Sequence, residues 1–330
     1  MKQVVLKREL TSKPEASDFE LIETATPECP EGGILVDVKY ISLDPYVGHL
    51  LHKGHMGQAK PEPGKGLIPG AIVGEVIESR SSKTKSGDFI HSMDGGWIEK
   101  ITLKDKQFDV IDAEAAPLNA YAGALGMPGL TAWAGVTQLA KVKEGDVFLV
   151  DAAAGPVGGT AGQIARQRGA KTVIGIAGGL EKCKAVKEIY GFDACLDYKS
   201  NGWQDSLKDY APNGISVHFE NVGADMLGFA VSNMQLYARA VLCGLAAHYH
   251  DPEPAKTLIG PIIGTRASFH GLVVYDFYDR WAQFRAEVAP WIKSGAVKIL
   301  EDRVEDLEHA PALMEKLVNG ANVGKCIVAL

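Results

Sequence analysis

Between Val147 and Gly162 the chain reads VFLVDAAAGPVGGTAG, a short apolar run, a glycine-rich turn and a stretch of small residues. Val147, Phe148, Leu149 and Val150 are too few for a buried helix but suit a parallel strand covered on both faces. Gly155 and Gly158 then keep the turn free of bulk. A pyrophosphate can thus approach the N–H groups that open the next helix, where the helix dipole favours negative charge. The usual fingerprint for such a turn is G-x-G-x-x-G. Here Ala153-Ala154-Gly155-Pro156-Val157-Gly158 begins with alanine in place of the first glycine. Taken alone, the motif admits two readings, a dinucleotide site and a tight strand-to-helix packing with no ligand. The order strand, turn, helix, strand favours the first.

Downstream, strands and helices alternate. Strands are expected at Thr172 to Ile176, Ala194 to Tyr198, Ile215 to Glu220, Ala238 to Leu245 and Ser268 to Val274, with helices from Val157 and Glu181 between them. With the first strand these make six, enough for an α/β, Rossmann-type doubly wound parallel sheet. Upstream, to about residue 120, short runs such as Gly33 to Tyr40 and Ile72 to Ile77 lie between Pro/Gly-rich stretches, the pattern of a mainly β, loop-rich domain. A helical segment is expected around Thr131 to Ala140, and a long amphipathic stretch runs from Asp276 to Lys293. The apolar run Cys326 to Leu330 reads as a strand that returns to the first domain.

The chain has 330 residues, 46% apolar and 23% charged, which is ordinary for about two domains with proper cores. A net charge of −7 with no basic block argues against a nucleic-acid partner. Cys29, Cys183, Cys195, Cys243 and Cys326 show no C-x-x-C or zinc-ribbon spacing, so free thiols in a reducing compartment are expected. MKQVVLKREL has no apolar leader, and no stretch approaches the roughly 18 apolar residues of a membrane span. A cytoplasmic protein without membrane contact is the expectation.

In NAD sites a carboxylate about 20 residues past the glycines binds the ribose hydroxyls, whereas NADP sites avoid it and supply a cation. Here the second strand runs into Ala177-Gly178-Gly179, and Lys182 follows Glu181 on the next helix. Position alone leaves Lys182 either facing a 2′-phosphate or solvated beside Lys184 and Lys187.

Several segments together resemble the zinc-independent medium-chain dehydrogenase/reductases. They are Ala153 to Gly158, Gly178 to Lys182, Asp197-Tyr198-Lys199, Phe219 to Gly223, Cys243-Gly244 and Asn322 to Lys325, with Ser42 to Tyr46 and Gly126 to Ala132 in the N-terminal part. Within that family the chain is most similar to the NADPH-dependent alkenal and enone double-bond reductases, the branch of the prostaglandin and curcumin reductases. The resemblance implies a discontinuous, GroES-like catalytic domain of residues 1–122 and 297–330 around an NADP-binding Rossmann domain of residues 123–296. It also implies that Ala153, Gly155, Val157, Gly158, Asn221, Cys243, Gly244 and Asn322 contact the cofactor, and that Lys182 and Tyr198 hold the 2′-phosphate.

The zinc-dependent relatives carry G-H-E-x-x-G, whereas Gly70-Ala71-Ile72-Val73-Gly74-Glu75 has no histidine, so no metal is expected. His49, His52 and His55 recur at intervals of three among glycines, which reads as a loop. Hydrolase motifs are absent. For the reaction, the resemblance implies that Tyr249, in Leu245-Ala246-Ala247-His248-Tyr249-His250, hydrogen-bonds the substrate oxygen or delivers a proton. The other reading is an amphipathic tyrosine at a strand end. His248 and His250 read as loop histidines, with a proton relay as the alternative.

Tyr46, Trp97, Tyr275 and Tyr278 are candidates to line an apolar pocket for a small conjugated carbonyl substrate, although Tyr275 and Tyr278 fit a core or an interface as well. An apolar last strand from Ser268 implies an unpaired edge and, by the family pattern, a homodimer. The expected activity is NADPH-dependent reduction of a conjugated C=C bond. A quinone reductase and a non-catalytic nucleotide-binding relative are the alternatives.

Overall fold

The computed structural model describes residues 1–248 and 254–330. The chain divides into two units, Met1–Gly126 with Glu301–Leu330, and Met127–Leu300.

The first unit opens with a small antiparallel pair, β1 (Lys2–Leu6) and β2 (Phe19–Glu23). The ten-residue β3 (Gly33–Ser42) leads to α1 (Pro45–Lys53), which has proline in its first turn and ends at Gly54 with φ +78°. Such a left-handed end suits glycine. β4 (Ile72–Ser79), β5 (Phe89–Ser92), β6 (Lys100–Lys104) and β7 (Asp109–Ile111) follow.

The second unit begins with α2 (Met127–Trp133), which runs on into a π-helical segment, Ala134–Leu139. Then come β8 (Val147–Val150), α3 (Pro156–Gln167), β9 (Thr172–Ala177), α4 (Leu180–Glu188) and β10 (Ala194–Asp197). They are followed by α5 (Leu207–Tyr210), β11 (Ile215–Glu220), α6 (Ala224–Ser232), β12 (Met234–Leu242), α7 (Ile259–Thr265), β13 (Ser268–Gly271) and α8 (Trp281–Lys293). The six strands stand in the order β10-β9-β8-β11-β12-β13, and every pairing is parallel. This is the doubly wound order, which reverses direction beside β8. In such sheets ligands bind outside the carboxyl ends of the strands at the reversal. Phe148, Leu149, Val150, Ile174, Val217 and Phe219 are fully buried, as strands covered on both faces must be.

The chain then rejoins the first unit with β14 (Glu301–Glu305), α9 (Ala310–Val318) and β15 (Lys325–Ala329). β15 enters the seven-stranded sheet between β14 and β3, parallel to the one and antiparallel to the other. The apolar face of α9, Leu313, Met314 and Leu317, closes a core that includes Ile34, Val36, Ile41, Leu50 and Val328.

Three expectations are corrected here. His49 and His52 lie on the helix α1, not on a loop; Gly48 is tolerated inside it because a side chain there would run into Val318. Trp97 is fully buried and stacked on Phe19 at 5.4 Å between ring centroids, so it belongs to the core. Cys183 and Cys195 are joined in a disulfide, because the first turn of α4 packs directly on β10 and brings their Cα atoms to 5.1 Å. Cys29, Cys243 and Cys326 are free. Among the described residues no helix is long and apolar enough to cross a membrane.

Candidate cofactor site

At the end of β8 the chain turns sharply. Ala152 takes φ +45°, Ala153 N–H bonds Ile176 O at 3.1 Å, and Gly155 N–H bonds Ala152 O at 2.9 Å. Pro156 then opens α3 as its first residue, where its missing N–H costs nothing. A Cβ on Gly158 would lie 2.7 Å from Ala152 O and 2.8 Å from Asp151 O, so only glycine fits. The alanine in the first motif position has a structural counterpart. Ala153 is buried, and the facing Gly175 leaves room for its methyl, since a Cβ on Gly175 would lie 2.7 Å from it. Beyond the turn, the first amides of α3 have no partner within the helix, which suits a phosphate.

The second strand ends in a turn of the same kind. Gly179 caps α4 with φ +99°, and a Cβ on Gly178 would sit 2.6 Å from the Tyr198 ring and hydroxyl. Tyr198 thus covers the turn, with its backbone N–H on Ala177 O at 3.1 Å. Lys182 is half-buried in the first turn of α4, three residues beyond Gly179. Asp197 is the carboxylate beside this turn, and its Oδ1 accepts the Gly179 and Lys199 amides at 2.7 and 3.0 Å. Glu181 is exposed on α4.

Between β8 and β11 lies a buried ionisable group that sequence reasoning missed. His218 Nε2 is 2.9 Å from Glu220 Oε2 and 3.7 Å from Asp151 Oδ2, and all three side chains are buried. Asp151 Oδ1 accepts the Asn221 amide at 2.6 Å, and its backbone oxygen accepts Asn221 Nδ2 at 3.1 Å. Glu220 Oε1 accepts the Val222 and Gly223 amides at 2.7 and 2.6 Å. Burial, and next the neighbouring Glu220 charge, push the Asp151 carboxyl well above the usual range. For Glu220 burial works upward too, but the His218 hydrogen bond and charge, the Asp151 hydrogen bond and the Gly223 amide outweigh it and bring the carboxyl below its ordinary value. Of the two carboxyls, Asp151 is thus the one that holds a proton more readily. A signal for the pair was present: in H-x-E on a strand the two side chains share one face.

This group holds the turn after β11 in place, and the next loop is laid along it. Cys243 N–H bonds Glu220 O at 2.9 Å, Ala246 N–H bonds Asn221 O at 3.1 Å, and Ala247 N–H bonds Val222 O at 3.0 Å. His248 Nε2 accepts the Ala224 amide at 3.3 Å, against Gly223, where a Cβ would lie 2.3 Å from the ring. His248 is thus an anchor of its loop. Burial, the largest cause, pushes the Cys243 thiol up to about 12, which keeps it protonated near neutral pH. Tyr249 and His250 lie outside the described residues.

In the first unit, the buried Lys325 ties the Asn322 turn to the start of α1. Its Nζ donates to Leu43 O, to Asp44 Oδ1 at 3.2 Å and to Cys326 O at 3.0 Å, while Asn322 Nδ2 donates to Gly324 O at 2.8 Å. Tyr46 is half-buried on α1 with its ring 5.2 Å from that of His55. A recess of about 400 Å³ in this unit is lined by Leu50, Gln58, Leu67, Met93 and Asp94, and by neither Tyr46 nor Trp97. In the second unit Tyr275 and Tyr278 meet edge to face at 5.3 Å in a 3-10 turn before α8.

A family model described as the N-terminal domain of oxidoreductase matches residues 2–111, and one described as zinc-binding dehydrogenase matches residues 156–294. The chain is 37% identical to a 2-alkenal reductase (NADP(+)-dependent) of Nicotiana tabacum, over 99% of this chain and 96% of that one. It is 35% identical to a (+)-pulegone reductase of Mentha piperita, over 100% and 98%. The crystal structure of CurA in complex with NADPH from Vibrio vulnificus superposes with a TM-score of 0.89 at 30% identity, covering 100% of this chain and 99% of that one. With relatives of this kind matched along almost its whole length, the chain belongs to the medium-chain dehydrogenase/reductases, among their alkenal and enone double-bond reductases.

Proposed function

We propose that the protein reduces the C=C bond of small, apolar α,β-unsaturated aldehydes or ketones with NADPH. The observation that carries the cofactor choice is the turn at Gly178 and Gly179, covered by Tyr198 and flanked by Lys182, whose adjacent carboxylate is engaged by two amides. That arrangement fits a 2′-phosphate. The relatives named for 2-alkenal and pulegone reduction support the substrate class. NADPH, when bound, supplies the hydride for the β-carbon. The chain must hold the dinucleotide on the amides of α3 and orient the substrate. It must also place a donor where negative charge develops on the carbonyl oxygen. By its position in the sequence Tyr249 is that donor; it directly follows His248, which with residues 243–247 is anchored beside the start of α6. Asn322, Tyr46, Tyr275 and Tyr278 belong to the same proposal, as do a metal-free reaction, a cytoplasmic location and a homodimer.

The test compares an enone with a quinone in an NADPH-consumption assay, with and without exhaustive chelation. Tyr249→Phe removes one donor, so enone turnover should fall by about 10² to 10³, the effect of losing an oxyanion donor worth about 2.7–4 kcal/mol. A quinone accepts hydride readily and should lose far less. NADPH affinity and chelated activity should hold. Enone reduction within a factor of two of wild type would overturn the role of Tyr249, and wild-type turnover of quinones alone would favour the quinone reductase.

A further inference from the structure

We propose that Glu220 is a positioning residue for hydride transfer: its buried carboxylate fixes the turn at residues 221–223 and, through it, the segment 243–248, which together carry the nicotinamide end of the dinucleotide. The inference rests on the NADPH reading above. In a doubly wound sheet each half of the six strands takes one mononucleotide. With the 2′-phosphate assigned to the Gly178–Gly179 turn, on the half formed by β10, β9 and β8, the nicotinamide mononucleotide falls to β11, β12 and β13. Asn221, Cys243 and Gly244, just past the carboxyl ends of β11 and β12, are the residues of that half that the family resemblance puts against the cofactor.

Glu220 is the last residue of β11 and is 1% exposed. Its Oε2 is held by His218 Nε2 at 2.9 Å. Its Oε1 accepts the Val222 and Gly223 amides at 2.7 and 2.6 Å, and its backbone oxygen accepts the Cys243 and Gly244 amides at 2.9 and 3.2 Å. The next segment follows the turn amide by amide, Ala246 N–H on Asn221 O and Ala247 N–H on Val222 O. Two close approaches leave no slack between them. A Cβ on Gly244 would lie 2.8 Å from Asn221 O, and one on Gly223, at φ +138°, would lie 2.3 Å from the His248 ring. A shift of the turn is therefore passed on to residues 243–248. Without the carboxylate the buried Gly223 amide has lost its acceptor, a cost that the turn relieves by moving. The phosphate turns have holds of their own. Ala153 N–H bonds Ile176 O, Gly179 N–H bonds Asp197 Oδ1, and the Asn221 bonds to Asp151 use no atom of Glu220. Loss of the carboxylate thus misaligns the nicotinamide end while the phosphate end stays bound.

The experiment measures two quantities on the whole protein, the NADPH dissociation constant by nucleotide fluorescence and the single-turnover rate constant of NADPH oxidation with an enone and with a quinone. The rate constant does not depend on how much of the sample is folded. Glu220→Ala should slow both substrates at least about tenfold, since a misplacement of about 1 Å can cost about 10²-fold. Its NADPH Kd should stay within about threefold of wild type, because the phosphates are held elsewhere. Glu220→Gln keeps an oxygen for the two amides and an N–H group for His218 in its other tautomer, so its rate should return to within about threefold of wild type. If Glu220→Ala does not fold, Glu220→Asp replaces it, with the charge kept and the carboxylate drawn back from the amides, and should show the same loss. A rate within about twofold of wild type in that variant overturns the inference. So does a loss in Glu220→Gln as large as in the others, which would make charge the cause, or a fall in NADPH affinity that matches the fall in rate. A loss on the enone alone also overturns it, since that is the pattern expected of Tyr249→Phe. A wild type that oxidises NADPH with neither substrate overturns the functional reading and this inference with it, whereas the other outcomes leave that reading standing.

Discussion

Lys182 is half-buried on α4, whereas Asp151 lies in the dry interior after β8. If Lys182 meets a 2′-phosphate, Lys182→Ala removes a charge-assisted hydrogen bond worth about 1.5–3 kcal/mol, so KM for NADPH should rise roughly tenfold to a hundredfold. KM for NADH should stay nearly unchanged, and steady-state kinetics with both nucleotides would decide; equal losses would sink the assignment. Asp151 speaks through pH. Its folded carboxyl is held well above the ordinary carboxylate value, so from about pH 4 upward the unfolded chain releases a proton that the folded chain keeps. Its favourable contribution is whole below the ordinary value and drains away as pH rises. Asp151→Asn keeps an acceptor for the Asn221 amide, offers N–H groups to Glu220 and does not titrate. The variant should melt higher than wild type at pH 8, by roughly 2–4 °C per 1 kcal/mol recovered, and the gap should close toward pH 4. A wild type that melts higher at pH 8 would mean that Asp151 is ionised.

At the scale of elements, α3 lies close to its neighbours because it turns a glycine face to them. A Cβ on Gly159 would lie 2.4 Å from the Tyr190 ring, and one on Gly162 would lie 2.0 Å from Phe192 Cζ. Gly→Ala in a helix gains about 1 kcal/mol of propensity, but overpacking a filled core costs about 1–3 kcal/mol, and at 2.0 Å against a buried ring the second term should win. Gly162→Ala should therefore lower Tm by a few degrees, by calorimetry; an unchanged or higher Tm would show that Phe192 gives way. The same close packing explains what could be read beforehand. The six parallel strands are near-continuous apolar runs between glycines, so they were legible. β14, Glu301–Glu305, was not, because a half-exposed end strand can carry Glu, Asp and Arg and still pair through its backbone. Gly95 and Gly96, before Trp97, are close-approach positions where a Cβ would strike Ile72 and Leu67. The phosphate loop was legible from local spacing. The Asp151–His218–Glu220 group and the Cys183–Cys195 pair depend on how elements register in space. His218 stands beside Leu149 and Phe219 beside Val150, and that alignment brings Glu220 to Asp151.

For the whole molecule, the exposed side of the parallel sheet ends at β13, which among the described residues pairs only with β12. Near it Leu236, Tyr237, Ile259 and Ile263 are 59–70% exposed, and α7 has no buried residue. An apolar surface next to an unpaired edge is suited to a second copy. Light scattering at micromolar concentration should give a dimer, and the double substitution Ile259→Asp/Ile263→Asp should give a monomer; a monomeric wild type would contradict the proposal. A last consequence follows from the seat of β15 between β14 and β3. Ile327 pairs with Ser42, so this neighbour of β3 is made about 285 residues (327 − 42) after it. At about 5–20 residues per second, the Tyr40–Ser42 end of β3 waits roughly 15–60 s on the ribosome for that partner. The second unit is one uninterrupted stretch and can close while the first is still waiting. For that interval the half-built sheet of the first unit depends on chaperones or on the ribosome surface to keep its apolar edge from other nascent chains.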